Sequence, residues 1–486
     1  MKIVIVGGGT AGWTTALLLS SLKGRDYDIT LIADEDIGII GVGESTTVAI
    51  TDLIDKCCGD WSDFWDKTGS MPKLVKKFVN WDGKGKEFYC HIDGSVTQSL
   101  DIDHFSYYLL KEGKDTSLSA KCRILHENRK IDFGLDGEMR RPLPALHMDT
   151  HLTVEYLKEK CLEKGVRYIC GTVEKIFRRE DNKVKGALVN TEHNYESVYG
   201  DFWFDASGQK RILSNDVPFV SFKKYLPVNK AISTVIERNG EYVAETTSTA
   251  LSAGWAWDIP TATRRGVGYV YCSDYISDEE AVEEFNRHFG TEIETFKHHS
   301  FESGMLQTVW NDNVLSIGLC SGFLEPLQAT SIHTTIVETS LFATKYLRET
   351  VEATCQESGM KEFNTFMNKI MTDFRDLVNL NYSGGGPGTE FWKNIQLTDR
   401  SNSIIESSNS RVLLKKDFDI YYGSAGIGIW MTILMGLNHV PLSVIEELEK
   451  RDPNWYSSIK EQYSKFDQYM KSHLTNCLNN SVLENN

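Results

Sequence analysis

The chain has 486 residues, of which 41% are hydrophobic and 25% are charged, proportions typical of a globular protein with enough length to bury a large core. Its formal net charge of -16 argues against a surface that binds nucleic acid, which would need clustered Lys and Arg. The ten cysteines form no Cys-x-x-Cys pair and no segment reads as a secretory signal, so neither a zinc site nor a disulfide framework is predicted, and a cytoplasmic location is expected.

The first predicted element is a strand over residues 2–6, which leads directly into Gly-Gly-Gly-Thr-Ala-Gly and then into an apolar helix. In this Gly-x-Gly-x-x-Gly pattern, Gly7 permits a tight turn, Gly9 lets the backbone approach a pyrophosphate, and Gly12 lets the helix pack closely on the strand. The helix N-terminus then faces the anion. The pattern predicts a dinucleotide site, with a ligand-free glycine turn as the alternative.

A second strand, over residues 28–32, follows at the spacing of a β-α-β unit. It ends close to Asp34, whose carboxylate is a candidate to bind a ribose hydroxyl. A second glycine-rich turn, at residues 41–47, contains Gly43 and Ser45 and precedes a predicted helix. This turn predicts a further rim for a cofactor or an anion, and a helix N-cap is the alternative role for Ser45.

Three lysines lie in the alternating apolar stretch 71–81, namely Lys73, Lys76 and Lys77. Solvated lysines on an edge strand are the ordinary interpretation of such a stretch. On one continuous strand, Lys73 and Lys77 share a face and Lys76 points away from it. Spacing alone therefore leaves Lys73 and Lys77 equivalent.

The middle of the chain returns to a sheet. Apolar positions recur at helical spacing over residues 146–157, strands are predicted within residues 164–176, and a strand ends in Asp-Ala-Ser-Gly at 205–208. A nucleotide unit that is interrupted by a long insertion and followed by strands favours a flavoprotein. The β-α-β units of an NAD dehydrogenase tend to be contiguous.

Residues 220–310 are rich in Tyr, Thr and Val and are predicted to form a largely antiparallel sheet. Within them, Gly-Trp-Ala-Trp-Asp-Ile-Pro at 254–260 places Trp255 and Trp257 on one face of a strand. Core packing is the ordinary explanation for such a pair.

A further strand, over residues 313–317, enters a small-residue turn, and a helix is predicted to open within 323–333, where consecutive backbone N–H groups can hold a small anion. From about residue 345 the pattern is helical. The apolar segment 425–437 is too short to span a bilayer and is predicted to be a buried helix. A frayed tail is expected over 475–486.

Five motifs follow one another along the chain. They are Gly-Gly-Gly-Thr-Ala-Gly-Trp at 7–13, Gly-Val-Gly-Glu-Ser-Thr at 41–46, Leu-His-Met-Asp-Thr-His-Leu at 146–152, Gly-Trp-Ala-Trp-Asp-Ile-Pro at 254–260, and Ser-Gly-Phe-Leu-Glu-Pro-Leu-Gln-Ala-Thr-Ser-Ile-His at 321–333. With these motifs in this order, the chain resembles the flavin-dependent halogenases of the tryptophan-halogenase family. The Trp-x-Trp-x-Ile-Pro element is the most specific, because it separates halogenases from related monooxygenases.

The resemblance implies an α/β (mixed α+β) fold, with an FAD-binding Rossmann-like core, an inserted antiparallel sheet and a helical C-terminal part. It predicts an interleaved FAD-binding and halogenase core over residues 1–345, and a helical substrate-side region with a polar tail over 346–486. The implied reaction uses reduced FAD, O2 and halide (chloride, bromide or iodide) to make hypohalous acid. The acid passes through a tunnel to an electron-rich aromatic substrate of indole or phenol type.

The resemblance also implies roles for individual residues. The residues implied to bind FAD are Gly7, Gly9, Ala11, Gly12, Asp34, Gly43 and Ser45. The halide would lie against the backbone of Thr330 and Ser331. The residues implied to form a barrier beside the tunnel are Trp255, Trp257 and Pro260. Lys73 would be the catalytic lysine, because Lys-Leu-Val-Lys-Lys-Phe at 73–78 has the family spacing.

The chain departs from the family pattern at three positions. The family's ribose-binding acid aligns with Ala33, one place before Asp34. The family's catalytic glutamate aligns with Gln328, and its neighbouring serine aligns with Ala329. Since an amide cannot act as a carboxylate base, Gln328 is an altered catalytic position, and tryptophan itself is not the expected substrate.

Two alternatives remain from the residues, an FAD-dependent aromatic monooxygenase (a hydroxylase) and a catalytically degenerate FAD-binding protein. The sequence contains one convincing nucleotide-binding motif, which is assigned to FAD, so no second site for NAD(P)H is predicted. The expected partners are therefore a separate flavin reductase and a small aromatic substrate. No nucleic-acid or membrane partner is expected, and a homo-oligomer is left open.

Overall fold

The computed structural model describes residues 1–24, 27–35, 44–92, 102–113, 145–240, 242–465 and 468. Gly43 and the predicted C-terminal tail lie outside the described residues. The chain divides into two compact units that alternate along the sequence. The first unit comprises Met1–Ser70, Met148–Lys223 and Glu302–Thr372. The second unit comprises Met71–His147, Lys224–Phe301 and Asp373–Asn486.

The strands are numbered in chain order. They are β1 (Lys2–Val6), β2 (Asp28–Ala33), β3 (Glu44–Ser45), β4 (Met71–Lys73), β5 (Val75–Val79), β6 (Glu87–His91), β7 (Ala145–Met148), β8 (Arg167–Cys170), β9 (Thr172–Arg178), β10 (Val184–Asn190), β11 (Tyr195–Tyr199), β12 (Phe202–Asp205), β13 (Phe219–Ser221), β14 (Lys230–Glu237), β15 (Glu245–Leu251), β16 (Gly254–Pro260), β17 (Arg264–Tyr271), β18 (Lys297–Ser300), β19 (Gly304–Leu306), β20 (Trp310–Asn311), β21 (Val314–Ser316) and β22 (Gly322–Phe323).

The α-helices are numbered in the same way. They are α1 (Thr10–Ser20), α2 (Val48–Cys57), α3 (Trp61–Thr68), α4 (His104–Lys111), α5 (Thr150–Glu163), α6 (Asp278–Phe289), α7 (Thr330–Leu341), α8 (Val351–Thr354), α9 (Glu357–Asn381), α10 (Glu390–Lys393), α11 (Asp399–Ser410), α12 (Ile427–Gly436) and α13 (Leu442–Arg451).

The first unit is built on a six-stranded sheet in the order β20-β21-β12-β1-β2-β8. Strand β1 pairs in parallel with β2 on one side and with β12 on the other, and only β20 runs antiparallel to its neighbour. Its continuous apolar run is buried, as expected for a central parallel strand. The strand order reverses at β1, and ligands bind at the carboxyl ends of strands at such a point. The predicted Rossmann-like core is confirmed.

The helix predicted from residue 146 begins later than expected. Residues Ala145–Met148 form β7, and α5 starts at Thr150. The reason is a cap, because the Asp149 carboxylate accepts hydrogen bonds from the N–H groups of His151 (2.9 Å) and Leu152 (3.3 Å).

The second unit contains a seven-stranded sheet in the order β18-β14-β17-β16-β15-β5-β6. All neighbours in it are antiparallel except β15 and β5, which run parallel. The predicted inserted antiparallel sheet is confirmed, and the lysine-bearing strand β5 belongs to it. Because β5 lies between β15 and β6, the edge-strand interpretation is wrong for Lys76 and Lys77. Lys73 lies on β4, an edge strand of the three-stranded sheet β3-β7-β4, but it is buried, so the interpretation as a solvated lysine is wrong for it.

The C-terminal part is helical, as predicted, and α12 is almost wholly buried. This helix packs directly on the sheet, since a Cβ added to Gly436 would lie 2.2 Å from the ring of Phe88 on β6. No helix in the described part of the chain is long and apolar enough to cross a membrane. The predicted functional boundary at residue 345 stays a prediction.

Candidate active site

The glycine turn of the first unit combines two crowded positions with one open position. Gly7 has a φ of +120°, and an added Cβ there would lie 2.1 Å from the carbonyl oxygen of Ala206. A Cβ on Gly12 would lie 1.9 Å from the carbonyl oxygen of Gly7. At Gly9, no described atom lies within 4 Å of an added Cβ, and no side chain caps the start of α1. This open helix N-terminus fits the pyrophosphate of FAD.

The end of β2 carries the candidate ribose ligand. Asp34 is half-buried, and its carboxylate accepts a hydrogen bond from the Thr172 hydroxyl at 2.5 Å. The Cβ of the preceding residue, Ala33, lies 2.4 Å from where a Cβ on Gly8 would stand, so Gly8 has no room for a side chain. The role of Asp34 toward FAD stays a prediction.

The second glycine-rich turn gives a correction. The N-cap of α2 is Thr47, whose hydroxyl accepts the N–H of Ala49 at 3.4 Å and lies 3.1 Å from Nδ1 of His333. The alternative N-cap role for Ser45 is therefore wrong, because Ser45 lies in β3, two residues earlier. Its role as a cofactor ligand stays a prediction.

The predicted anion site lies at the start of α7, which begins at Thr330, within the predicted range 323–333. Ala329, just before it, has a φ of 53°, a left-handed conformation that costs a non-glycine residue on the order of 1 kcal/mol. No side chain caps this helix. The N–H groups of Thr330 and Ser331 therefore sit at a helix N-terminus that suits a small anion, with the half-buried Gln328 beside them.

Farther along α7 lies a carboxyl group that sequence reasoning missed. Glu338 is fully buried, and the Ser321 hydroxyl donates to its Oε2 at 3.2 Å. Its Oε1 has no hydrogen-bond partner among the described residues. Burial raises the pKa of Glu338 to about 8, so the side chain is largely protonated at neutral pH. The available signal was a single acidic residue in a helix, α7, whose other residues are hydroxyl-bearing or apolar side chains and one histidine.

The lysines of the second unit are distributed differently from the prediction. The chain forms two strands, β4 and β5, separated at Leu74. Lys73 and Lys76 are each 4% exposed, whereas Lys77 forms an ion pair with Glu87 (Nζ–Oε2 2.8 Å). The prediction that Lys73 and Lys77 share a face is wrong, because it assumed one uninterrupted strand.

Lys73 lies in a buried polar network. Burial lowers its pKa to about 7. In the antiparallel pair β4–β7 it stands opposite Ala145, which places His147 diagonally across on the same face. Burial, and then the charge of Lys73, keeps the pKa of His147 well below its usual range. The network holds an amine that loses its proton easily beside a neutral imidazole.

The hydrogen bonds around His147 assign its tautomer. The Tyr242 hydroxyl donates to the carbonyl oxygen of Pro72 at 2.8 Å, so Nδ1–H of His147 donates to the Tyr242 oxygen at 2.8 Å. Its Nε2 then accepts from the Thr246 hydroxyl at 2.7 Å. Sequence reasoning missed Tyr242 and Thr246, because they lie about 100 residues away in the chain and only side-chain contacts outside the strand ladders bring them to His147.

The tryptophan pair lies on β16 as predicted. The ring centroids of Trp255 and Trp257 are 6.2 Å apart and both rings are buried, which confirms that they share a face. Trp257 packs over Gly268, where an added Cβ would lie 2.2 Å from its ring. Trp81 continues the cluster at 6.4 Å from Trp255. Pro260 ends β16 and is half-buried. The barrier role of these residues stays a prediction.

The parallel sheet with a glycine turn at its switch point defines a protein of the dinucleotide-binding class. The sequence profile of the tryptophan halogenase family matches residues 2–453, and the chain belongs to that family. The tryptophan 7-halogenase RebH of Lentzea aerocolonigenes is 28% identical over 461 residues, which cover 87% of this chain and 85% of RebH.

Two solved structures are similar over nearly their whole length. The tryptophan 6-halogenase SttH of Streptomyces toxytricini has a TM-score of 0.83 at 26% identity, covering 97% of this chain and 96% of SttH. BrvH, a flavin-dependent halogenase from Brevundimonas sp. BAL3, has a TM-score of 0.80 at 25% identity, covering 97% of this chain and 96% of BrvH. The protein is a flavin-dependent halogenase that uses FAD and halide and acts on an aromatic substrate. A separate reductase supplies its reduced flavin.

Proposed function

We propose that this halogenase acts on an electron-rich aromatic substrate of indole or phenol type, and that Lys73 delivers the halogen. The observation that carries the proposal is the environment of Lys73, an amine that is 4% exposed and has a pKa lowered to about 7. The sequence resemblance assigns the family's catalytic lysine to the same residue. A solvated lysine would be almost fully protonated at a pH of about 7 and would offer almost no free amine.

The first unit provides the flavin and halide sites in this proposal. FAD, in its reduced form and with O2, supplies the oxidising equivalent that turns halide into hypohalous acid. Gly7 and Gly12 hold the turn in shape, and the open N-terminus at Gly9 binds the pyrophosphate. The remaining proposed cofactor contacts are Ala11, Asp34, Gly43 and Ser45. The N–H groups of Thr330 and Ser331 hold the halide.

Lys73 has two ways to act on hypohalous acid. As an ammonium it donates a hydrogen bond to the oxygen, which makes the halogen more electrophilic. As an amine it attacks the halogen, forming an N–halogen bond and releasing water. With a pKa of about 7, both forms are populated at neutral pH. The aromatic ring then takes the halogen, loses a proton and leaves Lys73 as it began.

Gln328 limits the substrate. An amide neither accepts the proton of the reacting ring nor balances its positive charge as a carboxylate does. Rings that stabilise this charge themselves, such as indoles and phenols, depend least on a carboxylate. Gln328 also carries no charge to attract the ammonium group of a free amino acid, which supports a substrate other than tryptophan.

The test is a panel of indoles, phenols and free tryptophan, incubated with the FAD-loaded enzyme, a flavin reductase, NADH and chloride, bromide or iodide. Mass spectrometry should show halogenated indoles or phenols in excess of halogenated tryptophan. Reactions without halide serve as the control for hydroxylation, and reactions without reductase test the external supply of reduced flavin. A hydroxylated product that forms without halide, or rapid reduction of FAD by NADH alone, would contradict the proposal.

A further inference from the structure

A buried row of reactive side chains crosses three neighbouring strands of the second unit. Thr246 on β15 stands opposite Lys76 on β5, and Lys76 stands opposite Cys90 on β6. Directly opposed residues in an antiparallel pair have Cβ atoms about 5 Å apart and point to the same face. Lys76 is 4% exposed and Cys90 is 1% exposed. The side chains of a lysine and a cysteine therefore leave neighbouring strands side by side in the interior.

The surroundings keep these two side chains together. The Lys76 Nζ lies 4.7 Å from the ring centroid of Phe78, and that ring stacks on Phe88 at 4.8 Å. From α12, the Thr432 hydroxyl donates to the sulfur of Cys90 at 3.3 Å. The rings therefore flank Lys76 and Cys90 along their strands, and the helix contacts the Cys90 end of the row.

Lys73 is coupled to the same thiol. Burial raises the pKa of Cys90, and the Thr432 hydrogen bond and the charges of Lys76 and Lys73 oppose that shift. Cys90 therefore remains a thiol at neutral pH within the electrostatic reach of both lysines. A thiol within the electrostatic reach of a residue that handles hypohalous acid needs an explanation, since such oxidants attack sulfur readily.

We propose that Cys90 and Lys76 become joined by a sulfur–nitrogen bond when hypohalous acid is made without an aromatic acceptor. The inference rests on the proposed function, because Lys73 is the residue that holds the oxidant close to the thiol. The bond is a site of self-modification that stops the enzyme when its substrate is absent.

The chemistry balances in two steps. The Cys90 sulfur attacks the halogen of hypohalous acid, so an S–halogen bond forms, the O–halogen bond breaks, and the thiol proton leaves with the oxygen as water. The Lys76 amine then attacks the sulfur, and halide and a proton depart. Sulfur loses two electrons and the halogen gains them. An added thiol attacks the sulfur and reverses the bond.

The experiment uses the FAD-loaded enzyme with reductase, NADH, O2 and chloride, in buffer without thiols and without an aromatic substrate. Digestion under non-reducing conditions and mass spectrometry should reveal the peptides of Lys76 and Cys90 linked, with two hydrogen atoms lost, and separated again by dithiothreitol. Cys272, buried in the same unit but outside this row, is the matched thiol and should stay unlinked. Cys90→Ser should abolish the linked peptide and keep the initial rate of halogenation.

Several results would overturn the inference. They are a Cys90 that stays a thiol, a Cys90 oxidised only to sulfinic acid, or a link to Lys73 in place of Lys76. The main measurement is made on the wild-type protein, so it does not depend on whether a variant folds.

A second arm separates this inference from the proposed function. Reagent hypochlorous acid is added to wild-type protein and to Lys73→Ala. A link that is lost in Lys73→Ala during turnover but restored by the reagent supports both ideas. If the wild type halogenates yet forms no link under either condition, the inference alone fails. If Lys73→Ala forms the link during turnover as fast as the wild type, the pairing holds and the proposed role of Lys73 fails.

Discussion

The glycine turn of the first unit and the lysine cluster of the second unit are built in opposite ways. The turn uses consecutive residues, from Gly7 to Gly12, and its function lies in the backbone. The cluster uses side chains from four strands, with Lys76, Cys90 and Thr246 aligned by strand pairing and Lys73 contributed by β4 of a different sheet. A site made of backbone is visible in a short motif. A site made of converging side chains depends on the register of distant strands.

The two regions also differ in their effect on the free energy of folding. The turn leaves an open space that a ligand fills, so the protein without FAD contains no strained contact at Gly9. The cluster removes two amines from water, and an isolated buried amine is expensive unless it gives up its proton. Substitutions in the two regions should therefore affect binding, stability and activity in different combinations.

The largest expected effect comes from Lys73→Ala. This variant should lose halogenated product by at least about 100-fold, since it removes the group that acts on the transferred atom. It should still bind FAD and consume O2 with reduced flavin, because those steps belong to the first unit. Liquid chromatography with mass spectrometry, run beside oxygen uptake, measures both. Lys77→Ala is the matched control, since that lysine forms a partly exposed ion pair.

Lys76→Ala should also retain measurable product, which separates the two buried lysines from each other. A Lys73→Ala enzyme that halogenated its best substrate at nearly the wild-type rate would contradict the assignment of halogen transfer to the lysine cluster and of flavin chemistry to the glycine turn.

The tryptophan pair tests how far the second unit depends on packing. Trp255→Ala and Trp257→Ala should each lower the free energy of unfolding by about 3–5 kcal/mol, because both rings are buried. Halogenation should remain dependent on flavin but lose efficiency. Urea denaturation measures the first effect, with the exposed Tyr199→Ala as the control. A double variant with normal stability and normal activity would refute both the barrier role of the two tryptophans and their contribution to core packing.

Gly12→Ala and Gly9→Ala sharpen the comparison within the first unit. At Gly12 the new methyl group would clash with the carbonyl oxygen of Gly7 at 1.9 Å, and overpacking of this kind costs about 1–3 kcal/mol. At Gly9 the backbone is extended (φ -75°) and the methyl group meets no described atom within 4 Å. Gly9→Ala should therefore unfold at the wild-type temperature without FAD, and FAD titration should show weaker binding. Equal losses of stability in the two variants would contradict this division of roles.

The pH dependence of stability tests the burial of Lys73. Its pKa is lowered from 10.5 to about 7 on folding, so between these values the unfolded chain binds a proton that the folded protein does not. The free energy of unfolding should therefore rise with pH across this window, by up to about 1.4 kcal/mol per pH unit. Lys73→Met should be more stable than wild type at and below pH 7, with an advantage that shrinks as pH rises.

Urea denaturation at a series of pH values gives the curve. Lys77→Met is the matched control, because the pKa of Lys77 is raised and its titration falls outside the window. Parallel curves for wild type and Lys73→Met would show that Lys73 keeps its ordinary pKa in the folded protein.

The smallest effect is expected from Gln328→Glu. Flavin oxidation should be unchanged, while the ratio of products across several aromatics should shift and acquire a dependence on a carboxyl group that titrates. The product ratios from the substrate panel at several pH values provide the measurement. Identical ratios in variant and wild type would place Gln328 away from the reacting ring.

Several features followed from the sequence because their causes are local. The glycine turn needs six consecutive residues, the pairing of Trp255 and Trp257 needs only strand alternation, and the buried helix α12 needs only an apolar run of the right length. In each case the deciding residues are neighbours in the chain, so tertiary contacts could not reverse the prediction.

Other features were decided by the tertiary structure. The interruption at Leu74 buries Lys76 with Lys73 and leaves Lys77 to an ion pair. Strand pairing places Cys90 opposite Lys76, and burial keeps Glu338 largely protonated at neutral pH. Desolvation and cross-strand neighbours set the protonation of these groups, and both depend on residues far away in the chain. Sequence alone therefore identified the lysine stretch, and the fold selected which of its amines lie in the interior.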